Sequence, residues 1–381
     1  MSEPSLMRRE IDEAPEAVRR LLDLSGEAMR AAGDRLRRLS PPVVATIARG
    51  SSDHAATYFK YATEIVAGIP VASLGPSVVS VYGAALKLHG CAAIAVSQSG
   101  RSPDIVALAK AARDGGGETI ALVNAEGSPL AETASATVAL RAGPERSVAA
   151  TKSFIASVAA ALYILAEWRG DEALLQGLQR LPDDLDAALG CRWDEAVDAV
   201  RDAGSLYTLG RGPGFAVAAE TALKFKETCI VHAEAYSGAE LLHGPVSLVD
   251  GGFPVFAYVP QDAAHTSLLD TANRLHQKGA MLFVAGEGAP GRRLPTAPAG
   301  HPLLEPLVML LSFYGFAEAL SDDGSLTGRG SPWLRGAVCE YIEEEYGHEQ
   351  WILNDIRAAG GDPDKTVQDG PNVATELMVA Y

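Results

Sequence analysis

Short apolar runs rich in β-branched residues recur along this chain, each followed by a longer stretch with helical spacing. PVVATIA (42–48) leads into DHAATYFKYATEIV, VASL (71–74) into SVVSVYGAALKL, and CAAIAV (91–96) into the pattern after SQSG. TIALVN (119–124) and ATVAL (136–140) complete the series. Strands that are apolar at nearly every position are buried on both faces, and the helices between them supply the cover. The alternation predicts an α/β fold with a doubly wound parallel sheet.

The pattern then starts again. LYTLG (206–210) precedes a helix from Ala216 to about Cys229, FPVFAYV (253–259) precedes one through HTSLLDTANRLHQKG, and MLFVAG (281–286) follows. IARGSSDHAATYFKYATE near residue 47 and TLGRGPGFAVAAETALKFKE near 208 share one opening: strand, glycine turn, helix. Such self-similarity predicts an internal duplication. The boundaries read as a helix over 1–24, with Ile11, Ala14, Val18, Leu21 and Leu22 at helical spacing, a first α/β subdomain over 25–170 and a helical connector over 171–200. A second subdomain over 201–322 and an atypical helical tail over 323–381 follow.

Charge limits the partners. A formal net charge of −16 over 381 residues repels nucleic-acid backbones and anionic membranes alike. A small phosphate is still admissible, because local backbone dipoles hold it whatever the global charge. The longest apolar run, FIASVAAALYILA (154–166), is too short for a bilayer span and predicts a core helix. Cys91, Cys191, Cys229 and Cys339 stand singly, without metal-ligand spacing, which suits a reduced cytoplasm. The charged start, MSEPSLMRREIDEAPEAVRRLLD, has no apolar signal core, so a cytoplasmic location is expected.

VSQSGRSPD (96–104) joins a strand to a helix. Backbone N–H groups at such a turn are unpaired and the helix dipole adds positive charge, while Ser97, Ser99, Ser102 and Gln98 add side-chain donors. These groups suit a phosphate monoester; equally, Ser99 or Ser102 serves simply as a helix cap. GSS (50–52) sits at the corresponding turn of an earlier strand, and paired turns at the carboxyl ends of strands are where open α/β sheets bind ligands.

A different chemistry gathers in ETALKFKETCIVHAEAYSGAELLHGP (220–245). Glu220, Lys224 and Glu227 fall at i, i+4 and i+7 on one helix face. They read either as a solvated ion pair or, given the small and apolar neighbours, as a partly buried group tuned for base work. His243 opens the turn HGP, where a lone histidine is commonly structural.

Taken in order, REIDEAPEAV (9–18), ARGSSDHA (48–55), SQSGRSPD (97–104), ERSVAATKSF (145–154) and ALKFKETCIVHAEAYSGAELLHGP (222–245) resemble the sugar isomerase, or SIS, family. The likeness is to the isomerase half of glucosamine-6-phosphate synthase and to stand-alone SIS-type glucosamine-6-phosphate deaminases. It implies two tandem flavodoxin-like subdomains and a small-molecule phosphosugar ligand, with no cofactor. Ser97, Gln98, Ser99 and Ser102 would bind the phosphate, Ser51 and Ser52 would line the same pocket, and Glu145 and Val148 would lie near the sugar. Glu227 would move a proton between C1 and C2 beside Lys224, and His243 would assist ring opening in a neighbouring subunit, which implies a homodimer.

Two departures qualify the resemblance. The synthase starts with a glutaminase domain that this sequence does not show, so isomerisation or deamination with free ammonia is expected instead of glutamine-dependent amination. The family's tail carries a lysine that enters the sugar site, whereas SPWLRGAVCE (331–340) places Gly336 there, with Lys365 the sole later lysine. A phosphosugar-binding protein without turnover is therefore the alternative. The remaining tail resembles a fragment of a heme-oxygenase-like iron enzyme, with Glu344, His348 and Asp355 spaced for one helix face. About fifty residues cannot build such a bundle, so no metal is expected.

Overall fold

The computed structural model describes residues 4–322. Helices α1 (Leu6–Asp12) and α2 (Ala14–Leu39) precede β1 (Val44–Ile47), α3 (Ser51–Ala67), β2 (Val71–Ser73) and the one-turn α4 (Ser77–Ser80). β3 (Ala92–Ser97), α5 (Pro103–Asp114), β4 (Glu118–Val123), α6 (Pro129–Thr133) and β5 (Ala136–Ala139) complete the first series. α7 (Lys152–Arg169), α8 (Glu172–Leu189) and α9 (Asp194–Val200) follow. The second series is β6 (Ser205–Gly210), α10 (Pro213–Thr228), β7 (His232–Ser237), α11 (Gly238–Leu241), β8 (Pro254–Val259), α12 (His265–Gln277), β9 (Met281–Gly286), β10 (Arg292–Leu294) and α13 (Glu305–Asp322).

The strands form two five-stranded sheets, ordered β2-β1-β3-β4-β5 and β7-β6-β8-β9-β10, and every pairing is parallel. Counted within its own half, each sheet has the order 2-1-3-4-5, so the duplication extends to topology. It extends to the backbone as well. Gly50 before α3 has φ 55° and ψ −134°, and Gly212 before α10 has φ 58° and ψ −133°, a conformation that needs glycine. β1, β3 and β8 are buried at every position, which is why they read as unbroken apolar runs.

The sequence pattern misjudges four places. SVVSVYGAALKL does not continue as a helix past α4: Gly83 takes φ +61°, and Leu86 and Leu88 peel away to pack on the first sheet's core, Leu88 donating to the Gly115 carbonyl. The amino-terminal helix is two helices broken at Glu13 ahead of Pro15, and the second runs on to Leu39. β7 went unread because an edge strand is covered on one side only, and β10 because it is three residues long with two arginines.

The run 154–166 lies within α7, whose side chains from Lys152 to Ala166 are all buried, as expected of a core helix. Among the described residues no helix is long and apolar enough to cross a membrane. α2 packs closely on α7 through Gly33, where a Cβ would sit 2.7 Å from Glu167 Cβ and 3.0 Å from the Ile164 carbonyl. A second core is aromatic. Phe225 of α10 lies 5.2 Å from both Phe256 and Phe313, ring centre to ring centre, and Phe256 stacks on Phe283 at 4.8 Å. That packing fixes the rotation of α10 about its own axis, and so the direction in which Lys224, the next residue back, is held.

Gly33→Leu is expected to lower stability by about 1–3 kcal/mol through overpacking at α2 and α7. Gly26→Ala in the same helix, with nothing within 4 Å, is expected to gain up to about 1 kcal/mol. Thermal melts of the two variants beside the native chain check both signs.

Candidate active site

β1 and β3 are parallel neighbours, with Ile47 opposite Ala95, so the turns that leave their carboxyl ends lie side by side. Arg49 on the first turn is ion-paired with Asp104 at the start of α5, which ties the turns together. Ser51 and Ser52 begin α3. On the second turn the Ser97 hydroxyl oxygen, in a residue 6% exposed, accepts from Gly100 N–H at 3.0 Å, and Ser99 Oγ accepts from Arg101 N–H at 3.3 Å. The Gln98 carbonyl accepts from the N–H groups of Asn124 and Ala125, both at 3.2 Å.

Gly100 is required twice over: its φ is +62°, and a Cβ there would lie 2.1 Å from Ser128 Oγ. Ser102 stands at the cap position of α5, yet that helix receives no side-chain cap bond. The cap alternative for Ser99 and Ser102 therefore fails, and the first-turn amides of α5 keep their donors. The turn has the makings of an anion cradle.

The second cluster stands on α10. Lys224 is fully buried, and its ammonium donates to Ser51 Oγ at 2.9 Å and Glu227 Oε2 at 2.7 Å and meets Glu220 Oε1 at 3.1 Å. All three of its N–H donors are thus used. Glu220, also fully buried, is further bonded by His54 Nδ1 at 2.9 Å and by the Tyr314 hydroxyl at 3.2 Å. An open cleft of about 550 Å³, whose lining includes Asp53, His54, Phe215 and Lys226, lies beside this group.

Burial pushes the Glu220 carboxyl upward, but the charge of Lys224 and the hydrogen bond from His54 outweigh it and hold the group below its ordinary value. Burial likewise pulls Lys224 down, and the two carboxylates outweigh that and raise it. Both groups are held ionised. Tyr314 is pushed well above its ordinary value by burial and by Glu220, so it stays a protonated donor. The solvated-pair alternative does not survive this burial. Glu227, with 32% of its side chain exposed, is the carboxylate of the cluster that keeps contact with solvent.

Ser51 links the clusters, since it opens the turn beside the cradle and also receives the Lys224 bond. The spacing on α10 pointed to Glu220, Lys224 and Glu227, but His54 and Tyr314 went unread, being 166 and 94 residues from their partner. Glu145 is occupied: it accepts from Thr151 N–H at 2.9 Å and Ser153 N–H at 3.2 Å and from the Ser153 hydroxyl, capping the start of α7. Val148 is 69% exposed. His243 is exposed on the turn after α11. Among the described residues no group of three or more His, Cys, Asp or Glu is placed to hold a metal ion. Gly336, Glu344, His348, Asp355 and Lys365 lie outside the described residues.

The family model described as the SIS domain matches residues 42–166 and 199–285, which together exceed half of the chain. The chain belongs to the SIS domain family. The match covers the first sheet and the second as far as β9, and none of the tail, so the likeness of that segment to an iron enzyme finds no support there. A candidate phosphosugar isomerase from Silicibacter pomeroyi DSS-3 is similar in structure, with a TM-score of 0.81 and 49% identity over 85% of this chain and 98% of that one. The C-terminal domain of glucosamine-fructose-6-phosphate aminotransferase from Francisella tularensis gives a TM-score of 0.73 at 25% identity over 84% and 96%. Glutamine–fructose-6-phosphate aminotransferase (isomerizing) from Leifsonia xyli subsp. xyli is 32% identical over 349 residues, 84% of this chain and 56% of that protein. The chain thus spans about half the length of the curated relatives it matches.

Gly100→Ala is expected to cost about 1–3 kcal/mol, from a left-handed alanine and its clash with Ser128, read from the denaturation midpoint. Lys224→Met leaves Glu220 without its cation and is expected to cost about 3 kcal/mol. Adding Glu220→Gln to that variant removes the stranded charge, and part of the loss is expected to return.

Proposed function

We propose that this SIS-family chain interconverts the aldose and ketose forms of a hexose phosphate, and that on an aminosugar phosphate the same proton shift leads to loss of ammonia. The observation that carries the reading is the environment of Glu227. A buried, fully bonded lysine fixes this solvent-reaching carboxylate, and the same lysine is bonded to the serine turn that adjoins the cradle. The relatives above whose names include a phosphosugar isomerase and an isomerising aminotransferase support it.

In this reading Ser97, Gln98, Ser99 and Ser102, with the amides of α5, hold the phosphate, and Ser51 and Ser52 line the same pocket. Glu145 and Val148 border the sugar. Glu227 takes the proton from C2 of the open-chain aldose. The C–H electrons form the C1=C2 bond, and the carbonyl electrons move to O1, giving an enediolate. Return of the proton to C1, with the O2 hydroxyl proton passing to O1 and a carbonyl formed at C2, completes the ketose. With nitrogen at C2 the same shift yields an imine, which takes up water and releases ammonia. Lys224 keeps the Glu227 carboxylate in place throughout. His243, exposed on its own chain, serves the ring-opening step of a second copy in a homodimer.

A panel of hexose and hexosamine 6-phosphates, assayed for isomer and for ammonia, tests the reading. Glu227→Gln is expected to lower kcat by about 10²–10⁴ while phosphosugar binding persists. Unchanged turnover in that variant would remove Glu227 from the mechanism.

A further inference from the structure

The segment between β5 and α7, residues 140–151, has no regular structure, so its backbone polar groups must find partners elsewhere. Side chains supply them. Ser25 donates to the Ala139 carbonyl at 2.7 Å, and Arg20 donates to the carbonyls of Arg141 at 3.2 Å and Ala142 at 3.3 Å. Asn124 accepts from Ala142 N–H at 2.9 Å and donates to the Gly143 carbonyl at 2.7 Å. Arg141 takes φ +56°, a left-handed conformation unfavourable for a side chain of its size, and these bonds hold it there.

The strongest of these anchors is Glu10 of α1, in the segment REIDEAPEAV, to which the proposed reaction gives no part. It is 5% exposed, and its carboxylate accepts from Arg146 N–H at 2.5 Å, from Ser147 N–H at 3.2 Å and from the Ser147 hydroxyl. One turn on, Glu13 pairs with Lys152, which is 1% exposed, at the start of α7. At its other end α1 is fastened to α13, where Ser5 Oγ donates to Glu318 at 2.7 Å. Glu318 stands one turn beyond Tyr314, the donor to Glu220.

The held segment reaches both clusters of the site. Asn124, which grips Ala142 and Gly143, donates its own N–H to the carbonyl of Gln98 in the cradle turn at 3.2 Å. Glu145, next to the residues Glu10 holds, lies near enough for its charge to act on the Tyr314 hydroxyl. The turns after β3, β4 and β5 leave the carboxyl edge of one parallel sheet and so lie together.

We infer that Glu10 is a positioning residue for this site: from outside both sheets it fixes residues 146–147 in the segment that Asn124 ties to the cradle turn, and so sets the wall that meets the sugar. The inference rests on the phosphosugar reading and extends it to a residue that touches no substrate. A carboxylate suits the task because it accepts several hydrogen bonds at once from a backbone that turns without sheet or helix.

The test compares Glu10→Gln with the native chain, using Glu27→Gln on the exposed side of α2 as the control. Amide hydrogen exchange is followed at 146–147, and KM and kcat are measured for whichever hexose 6-phosphate the native chain turns over. Expected in Glu10→Gln are faster exchange at those amides and a KM raised about tenfold, with kcat within about twofold, the loss of one charged hydrogen bond. Glu27→Gln is expected to match the native chain in both. Faster exchange with KM unchanged, or exchange unchanged, overturns the inference alone. A native chain inert toward every hexose 6-phosphate takes down the phosphosugar reading and this inference with it, an outcome told apart because no variant is needed to see it.

Discussion

The buried pair of Glu220 and Lys224 is the interaction on which the site depends. Two opposite charges fully removed from water are tolerable only when they are well bonded, and here all three ammonium protons and both carboxylate oxygens find partners. The donors and acceptors come from α3, α10 and α13, so satisfying this one pair brings both halves of the duplication into register. Ser51 belongs to the first half and Glu227 to the second. The same ammonium that must be satisfied for stability is what joins the serine turn of the first half to the solvent-reaching carboxylate of the second.

Duplication explains why the arrangement is lopsided. Each half has the same strand order and the same glycine conformation before its first helix, yet the serine-rich turns stand only on the first sheet. The corresponding second-half turn, GRGPG, carries no hydroxyl, and Pro213, Gly214 and Ala216 stand where α3 has Ser51, Ser52 and His54, the charges of α10 lying further along that helix. One half supplies the serine turns and the other the buried ion pair with Glu227. The aromatic packing around Phe225 keeps α10 turned so that this division works.

The fold was largely legible because its signal is local. Runs such as CAAIAV and FPVFAYV are apolar throughout as a direct result of burial on both faces, and neither needs a distant partner to be recognised. Legibility failed where tertiary contact overrides the pattern. SVVSVYGAALKL has helical spacing, but its leucines are drawn onto the core and Gly83 breaks the chain's course. β7 and β10 lie at sheet edges, where one-sided cover or brevity erases the apolar run.

The site divides in the same way. The sequence by itself determined the serine turns, the face shared by Glu220, Lys224 and Glu227, and the parallel sheet that gathers the turns at one edge, since spacing of three, four and seven residues is a property of a helix alone. It left open whether Ser102 is a cap and whether the ion pair is solvated. Only the tertiary structure decided those points, and it alone recruited His54 from 166 residues away, Tyr314 from 94 and Glu10 from 136. Burial and hydrogen-bond satisfaction are sums over everything that packs against a group, and no stretch of chain contains that sum.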